Sequence, residues 1–530
     1  MTGTPLPHED CRLLGDLPPF HARHRPGQLA ARFEGRETSY ADFDRRTNRI
    51  AHALIAEGLN PGERVAYLGK NSDEFFELFF ACAKAGVVLI PIGWRLAGPE
   101  IAYIAKDCEA KILFVSPDMA ALAASIMPGC GNIRKTIAME KGAPELTAFS
   151  AWYAGQPDAA PDRTITPDMP VLQLYTSGTT GRPKGAMLSH SNFMDGMALA
   201  EKQPMAWNTW SAGDVSLVAM PISHIGGTGW GFRGYYSGAL NVVVREFVPG
   251  DVLEHIEKDG ISKLFVVPAA IQFMLADPRV RDIDYSRLGH MMYGASPIPL
   301  DLLRQAMDVF KCGFVQVYGM TETTGGITFL PPEDHDPDGN QRMRSAGISL
   351  PGIELRVRDE EGNILPPGQI GELETRSPLN MLGYWNLGDA TAETVDPDGW
   401  LRTGDAVYMD EDGYVFIQDR VKDMICSGGE NVYPAEVESA IYGAPGVAEV
   451  AVIGIPDDEW GEAVKAVVVR KPGEDPGADD IIAFARQRIA GFKVPKSVDF
   501  IDALPRNPTG KILRKDLRAP YWEGRERAVN

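Results

Sequence analysis

Long apolar runs, paired cysteines and an excess of positive charge are all missing from this sequence. The longest apolar stretch, at about residues 75–92, is broken by Glu77 and Lys84. It falls short of the roughly 20 uncharged residues that a membrane-spanning helix requires. Six cysteines (Cys11, Cys82, Cys108, Cys130, Cys312, Cys426) are scattered without CxxC spacing, the pattern of free thiols in a reducing compartment. The opening Met1-Thr2-Gly3-Thr4-Pro5 has neither the basic start nor the apolar centre of a secretory signal, so a cytoplasmic location is expected. Lysine and arginine number 52 against 72 acidic residues, a formal charge of −20. Nucleic acid is therefore not an expected partner, because phosphate-backbone binding needs a basic face.

What is present is a long, glycine- and proline-rich globular chain. Its 530 residues exceed one ordinary core, so two or more domains are expected. From about Thr38 short apolar runs alternate with helical-period segments. Residues 65–68 read as a strand, and Asn71 or Ser72 then caps a helix with Phe75, Phe76, Phe79, Phe80 and Ala83 on its apolar face, stopped by Gly86. Further strands are expected at 87–92, 112–115, 171–175, 215–220, 240–244, 264–267 and 314–317. Such alternation implies α/β layers with largely parallel sheets. After about Glu354 the turns Asp-Glu-Glu-Gly, Pro-Pro-Gly, Pro-Asp-Gly and Asp-Glu-Asp-Gly punctuate short segments, which indicates hairpins and a small β-rich subdomain. Beyond Lys422 a helix opened by Pro434, strands at 450–455 and 464–469 and a helix at 479–490 make a compact α+β tail. The expected division is a large domain over 1–420 and a smaller one over 421–530.

The most informative stretch is Tyr175-Thr176-Ser177-Gly178-Thr179-Thr180-Gly181-Arg182-Pro183-Lys184-Gly185, directly after an expected strand. Glycines let backbone approach a ligand, hydroxyls and amides donate to phosphate oxygens, and a lysine adds charge. The mundane alternative is a solvated Ser/Thr/Gly turn, which explains neither the preceding strand nor the lysine. A Walker A loop needs Gly-Lys followed by Ser or Thr; here Lys184 has Pro before it and Gly after it. The kinase Gly-x-Gly-x-x-Gly loop does not match either.

The loop resembles the signature of the adenylate-forming superfamily: acyl-CoA synthetases, luciferases and peptide-synthetase adenylation domains. Other stretches similar to that family follow in order: Pro221-Ile-Ser-His224, Gly294-Ala-Ser-Pro297, Tyr318-Gly-Met-Thr-Glu322, Thr403-Gly-Asp405, Asp419-Arg-Val-Lys-Asp423, Ser427-Gly-Gly-Glu-Asn431 and Pro508-Thr-Gly-Lys511. The resemblance runs from about Arg36 to Leu517 and is closest to fatty-acyl-CoA ligases.

It implies a two-step ligase that uses ATP, Mg²⁺ and coenzyme A. A carboxylate is a poor electrophile, and adenylation supplies AMP as the leaving group; the site must hold two anions together while pyrophosphate departs. By resemblance the loop residues Thr176 to Gly181 and Lys184 bind phosphates. Glu322 is the carboxylate for the metal with Thr176 as a hydroxyl contributor, and Thr321 meets the α-phosphate. Tyr318 and Gly319 lie on one side of adenine, with Gly294, Ala295 and Ser296 on the other. Asp405 accepts from both ribose hydroxyls, Arg420 touches ribose or phosphate, and His224 lies near the carboxylate and pyrophosphate paths. Lys511 bridges the acid and the α-phosphate. The small domain then rotates about a hinge at Lys422, and Ser427, Gly428, Gly429 and Glu430 line a pantetheine channel. Cys426 stands where several relatives carry a phosphate-binding lysine, a departure from the family pattern that bears on one pyrophosphate contact.

The acyl pocket by analogy includes Ile225, Gly226, Gly227, Val267, Gly325 and Gly326. Its small residues are expected to leave room for a bulky or long apolar acid. No lysine or arginine in those stretches offers a partner for a second carboxylate. A fatty or other hydrophobic acid is expected, with aryl acids second, handled by a monomer or homodimer that has no membrane span but is open to peripheral membrane contact. Two other acceptors stay open: a carrier protein's pantetheine, expected to bring an insertion or a tethered carrier domain, and O₂, as in luciferases.

Overall fold

The computed structural model describes residues 7–140, 143, 145–176, 182–420, 423–427, 430–457, 460–506 and 512–523. Among these residues the strands form four sheets. The first runs in the order Gly383–Tyr384, Lys184–Ser189, Pro170–Thr176, Val88–Ile92, Arg64–Leu68, Ile112–Val115, Lys135–Ala138, Thr147–Ala148. It is parallel from Pro170–Thr176 onward, with the first two strands added antiparallel. The second sheet is parallel through Gly313–Met320, His290–Gly294, Lys263–Val266, Val215–Val218, Leu240–Val243 and Leu29–Phe33, with antiparallel strands at both edges. Arg64–Leu68, Val88–Ile92 and Ile112–Val115 are buried along their whole length, as expected of parallel strands covered on both faces.

The helix Asp73–Ala85 joins the two sheets. Ser72 caps it by accepting from the Glu74 N–H at 3.2 Å, and Gly86 ends it in the left-handed region at φ 74°. Phe75, Phe76, Phe79 and Phe80 are all fully buried. Phe76 lies 5.2 Å and Phe80 5.3 Å from Tyr235 of the helix Ile225–Ser237, which connects strands of the second sheet, and Phe79 lies 6.1 Å from Phe193 of the helix His190–Lys202. A helix apolar on most sides is a buried helix, and here it makes one continuous core of both sheets.

The third sheet is antiparallel: Glu354–Arg358, Gly371–Arg376, Leu401–Met409, Val415–Arg420. It is the β-rich subdomain that the turn sequences indicated. The fourth contains Glu430–Val432, Ile425–Ser427, Gly461–Arg470 and Val447–Asp457, with Ser497–Phe500 parallel to Gly461–Arg470. Its central hairpin is longer than the apolar runs at 450–455 and 464–469, because paired backbone continues past the last buried side chains. The helix expected at 479–490 is Ala478–Arg486. The Arg488 and Ile489 N–H groups both turn back to the Ala485 carbonyl and close it early. No described helix is long and apolar enough to cross a membrane.

Where the third sheet hands over to the fourth lies a cluster of charges. Asp419 ends the strand side and its Oδ2 accepts from the Ala435 N–H at 2.9 Å, at the start of the helix Pro434–Ile441. Arg514 donates to both Glu438 oxygens at 2.9 and 2.8 Å and lies 3.5 Å from Asp419 and 3.8 Å from Asp423. Its guanidinium stays charged beyond the usual arginine range, since the three carboxylates outweigh the burial that works against it. Arg518 adds a 2.9 Å pair with Asp423. Arg514 is thus a half-buried structural cation. Removing one partner of such a cluster leaves buried charge uncompensated. Arg514→Met is expected to cost the C-terminal part about 3–5 kcal/mol, read as a lowered urea midpoint, with Arg514→Lys intermediate.

Candidate active site

The expected metal carboxylate, Glu322, sits in the single 3-10 turn Thr321–Thr323 that follows the strand Gly313–Met320. Thr323 shapes this turn by accepting from the Met320 N–H at 3.0 Å and donating to the Gly325 carbonyl at 2.7 Å. Glu322 is 5% exposed. Its Oε1 accepts from the Tyr384 hydroxyl at 2.8 Å and from Thr176 Oγ1 at 3.3 Å. Thr176 closes the strand that leads into the glycine-rich loop, and Lys184 opens the strand that leaves it, the two being direct cross-strand partners. The Lys184 ammonium lies over the Tyr384 ring, 5.0 Å from its centroid. Residues 176, 184, 322 and 384 thus form one cluster at the ends of the central strands.

A second pair adjoins it in the chain. The Tyr318 hydroxyl donates to Asp405 Oδ2 at 2.5 Å, so the two residues assigned by resemblance to adenine and ribose are in contact. Asp405 is buried, its N–H donates to Thr403 Oγ1 at 3.2 Å, and Thr403 donates onward to the Leu373 carbonyl at 2.8 Å. Gly294 is the register partner of Val317, one residue before Tyr318, with Ala295 at φ 69° and Ser296 following. Arg420 is the backbone partner of Asp405.

His224 is the residue before the helix Ile225–Ser237, and its Nε2 is buried without a hydrogen-bond partner among the described residues. Burial, reinforced by the charge of Arg95, lowers its pKa from 6.5 to about 4. It is therefore neutral at physiological pH, with one ring nitrogen as donor and the other as acceptor.

Of the expected acyl wall, Ile225 and Gly325 do approach each other: a Cβ on Gly325 would lie 3.9 Å from Ile225 Cγ1. The expectation that the glycines of the helix start leave room is corrected. A Cβ at Gly227 would fall 2.2 Å from the Pro221 carbonyl oxygen, and one at Gly226 would fall 2.8 Å from the Phe265 ring. Gly227 is buried against backbone, where only hydrogen fits, and Gly226 faces a ring that already fills the space. Gly326 likewise abuts Val317 and Phe329. Val267 is half-buried just before the helix Pro268–Ala276.

In the C-terminal part Ser427 is buried and pairs in register with Glu430 and Gly461, while the Cys426 N–H donates to Glu462 Oε2 at 3.1 Å. Cys426 packs with Ala406, Met424 and Tyr433, a structural setting. Ser177, Gly178, Thr179, Thr180, Gly181, Lys422, Gly428, Gly429 and Lys511 lie outside the described residues.

Tyr384 escaped the sequence reading. The surrounding Leu382-Gly-Tyr-Trp385 has no periodicity to flag it, and its importance comes only from docking beside Met187 and Ala186.

The donor set suits a magnesium ion. Among the described residues no three His, Cys, Asp or Glu side chains gather as a protein cage. A single carboxylate with a hydroxyl beside it matches an ion that keeps its waters and takes the rest of its ligands from phosphates.

Comparison with known proteins defines the class first. The chain is an AMP-forming acid–thiol ligase of the adenylate-forming superfamily, and it belongs to the AMP-binding enzymes: the family matches residues 20–385, and the AMP-binding enzyme C-terminal domain matches residues 436–511. It is 44% identical to a fatty acid–[acyl-carrier-protein] ligase of Streptomyces coeruleorubidus, over 99% of both chains. It is 39% identical to a feruloyl-CoA synthase of Amycolatopsis, over 96% of this chain and 99% of that one. The ATP-bound MatB of Rhodopseudomonas palustris superimposes with a TM-score of 0.86 at 33% identity, covering 96% of this chain and 99% of that one.

Two outcomes are expected from this geometry. Gly227→Ala should destabilise by about 1–3 kcal/mol, because backbone must move to admit the methyl; differential scanning calorimetry reads it. A histidine held at about 4 when folded and 6.5 when unfolded takes up a proton on unfolding. Its contribution is whole above pH 6.5 and drains as pH falls toward 4. His224→Gln should therefore gain on the wild type in melting temperature across that window and show a constant difference above pH 7.

Proposed function

We propose that this ligase activates a hydrophobic carboxylic acid as its acyl-adenylate and transfers the acyl group to coenzyme A. The observation that carries the reading is the convergence of Thr176, Lys184, Glu322 and Tyr384 beside the Tyr318–Asp405 pair. The chemistry of this set supports the reading: a cation, hydroxyls and a carboxylate are groups suited to a polyphosphate and its metal, and the adjoining ring and carboxylate suit a nucleoside. We assign the boundary between the moving parts to 420/421, where the third sheet ends.

In this reading the loop from Thr176 to Gly181 and Lys184 hold the phosphates, and Glu322 with Thr176 holds Mg²⁺. The metal supplies charge neutralisation at the phosphate oxygens. Tyr318 releases Asp405 to the ribose hydroxyls and turns its ring to adenine, with Gly294, Ala295, Ser296 and Gly319 around it and Arg420 near the ribose or phosphate. Thr321 donates to the α-phosphate. Neutral His224 lies along the acid's path. Lys511 holds the acid's oxygens and the α-phosphate together as charge develops between them. Rotation at Lys422 then withdraws Lys511 and presents Ser427, Gly428, Gly429 and Glu430 to pantetheine. The acyl pocket is bounded by Ile225, Val267 and Gly325, with the Phe265 ring under Gly226.

A fatty acid is the first candidate and an aryl acid the second, relatives being named for each. A second acceptor is favoured by a specific observation. The relative named as an acyl-carrier-protein ligase matches over 99% of both chains. This likeness over the whole length of that relative supports a carrier protein's pantetheine as the second acceptor.

The test is an acid screen with ATP and Mg²⁺ that follows AMP and pyrophosphate, with CoA and a pantetheinylated carrier protein as parallel acceptors. CoA-dependent AMP formation supports the proposal; transfer to the carrier alone replaces CoA with the carrier, and no adenylate with any acid overturns it. Lys511→Ala is expected to lower pyrophosphate exchange at least about 100-fold, in line with loss of a transition-state charge partner, while thioester formation from supplied acyl-adenylate persists.

A further inference from the structure

The two hydrogen bonds that Glu322 receives both fall on one oxygen. Tyr384 and Thr176 donate to Oε1, and Oε2 accepts none among the described residues. A carboxylate held in this way has a fixed plane and one free oxygen. Tyr384 is itself fixed: it is 8% exposed, its N–H donates to Thr391 Oγ1 at 2.9 Å, and its two-residue strand pairs with Ala186 and Met187. The next residue locks the segment further, the Trp385 N–H donating to the Gly185 carbonyl at 2.8 Å and its indole to the Asp107 carbonyl at 3.0 Å. The guanidinium of Arg64 stacks on the Trp385 ring, 3.2 Å from the centroid. The tyrosine that orients Glu322 is thus built on the strand that leaves the glycine-rich loop, and its ring face carries Lys184 at 5.0 Å.

We propose that Tyr384 is a positioning residue for the divalent cation of ATP: its hydroxyl pins Glu322 Oε1 so that Oε2 faces the ion. Its ring sets the height of the Lys184 ammonium beside it, so the hydroxyl serves the metal and the ring serves the phosphates. This rests on the proposed role of Glu322. Partners that orient a metal ligand from behind typically contribute 10- to 100-fold in affinity, while a cation over an aromatic face adds a smaller, separable increment.

The experiment measures binding without turnover. Mn²⁺ serves as the paramagnetic probe, titrated by electron spin resonance into the full-length protein with ATP and no acid. ATP affinity in EDTA is measured in parallel by calorimetry. Tyr384→Phe, which keeps the ring, is expected to weaken Mn²⁺ about tenfold and to leave metal-free ATP binding unchanged. Tyr384→Leu, which loses the ring as well, is expected to weaken both. Unchanged Mn²⁺ affinity in Tyr384→Phe, alongside a clear loss in Glu322→Gln, overturns the positioning role and leaves the metal site standing. Unchanged affinity in Glu322→Gln overturns the metal assignment and the positioning role with it. A Tyr384→Phe protein that loses metal-free ATP binding to the same extent as Mn²⁺ has a general defect, and that outcome also overturns the proposal.

Discussion

A carboxylate taken out of water must be given donors, and Glu322 finds its donors in two other parts of the chain. Tyr384 and Thr176 both reach its Oε1, so the turn that follows Gly313–Met320 is bound to the first sheet as well as to the second. Two further bonds reinforce the same junction: the Met381 N–H donates to the Glu322 carbonyl at 2.8 Å and Thr324 Oγ1 to the Leu379 carbonyl at 2.7 Å. The candidate site therefore lies where two largely parallel sheets meet, the usual place for a ligand in open α/β architectures being at strand ends.

The same economy governs the passage to the C-terminal part. Asp419 on the strand side receives the first turn of the helix Pro434–Ile441 and lies beside Arg514, while Asp423 and Glu438 pair with Arg514 or Arg518 on the far side. Asp419 reaches across from the third sheet, whereas Asp423, Glu438, Arg514 and Arg518 all belong to the C-terminal part. The seam also carries an apolar contact, Ala406 of the third sheet packing with Met424, Cys426 and Tyr433 of the C-terminal part.

Glycine has two different meanings in this molecule, and composition does not separate them. Gly325 lies at φ 111° with nearly open space in front of it. Gly227 has ordinary backbone angles and no room for a methyl group. In sequence both read as small residues lining a pocket. Only the neighbours at Pro221 and Phe265 show that the helix start Ile225–Ser237 is packed hard against the chain below it.

The strands and helices were legible because their causes are local. Continuous apolar runs marked the strands at 65–68, 87–92 and 112–115, and Asn71 or Ser72 with Gly86 marked both ends of the phenylalanine-rich helix, of which Ser72 is the cap. The ordered motifs determined the family and named Thr176, Lys184, Glu322, Tyr318 and Asp405 as candidates, since residue type and order are properties of the chain itself. What the tertiary structure decided was which atoms face which. Tyr384 lies 62 positions from Glu322 and Arg514 lies 76 from Glu438, separations that no periodicity spans. Their partnerships arise because buried charges and hydroxyls must be satisfied by whatever the folded chain brings within reach, and reach is settled by packing, not by sequence distance.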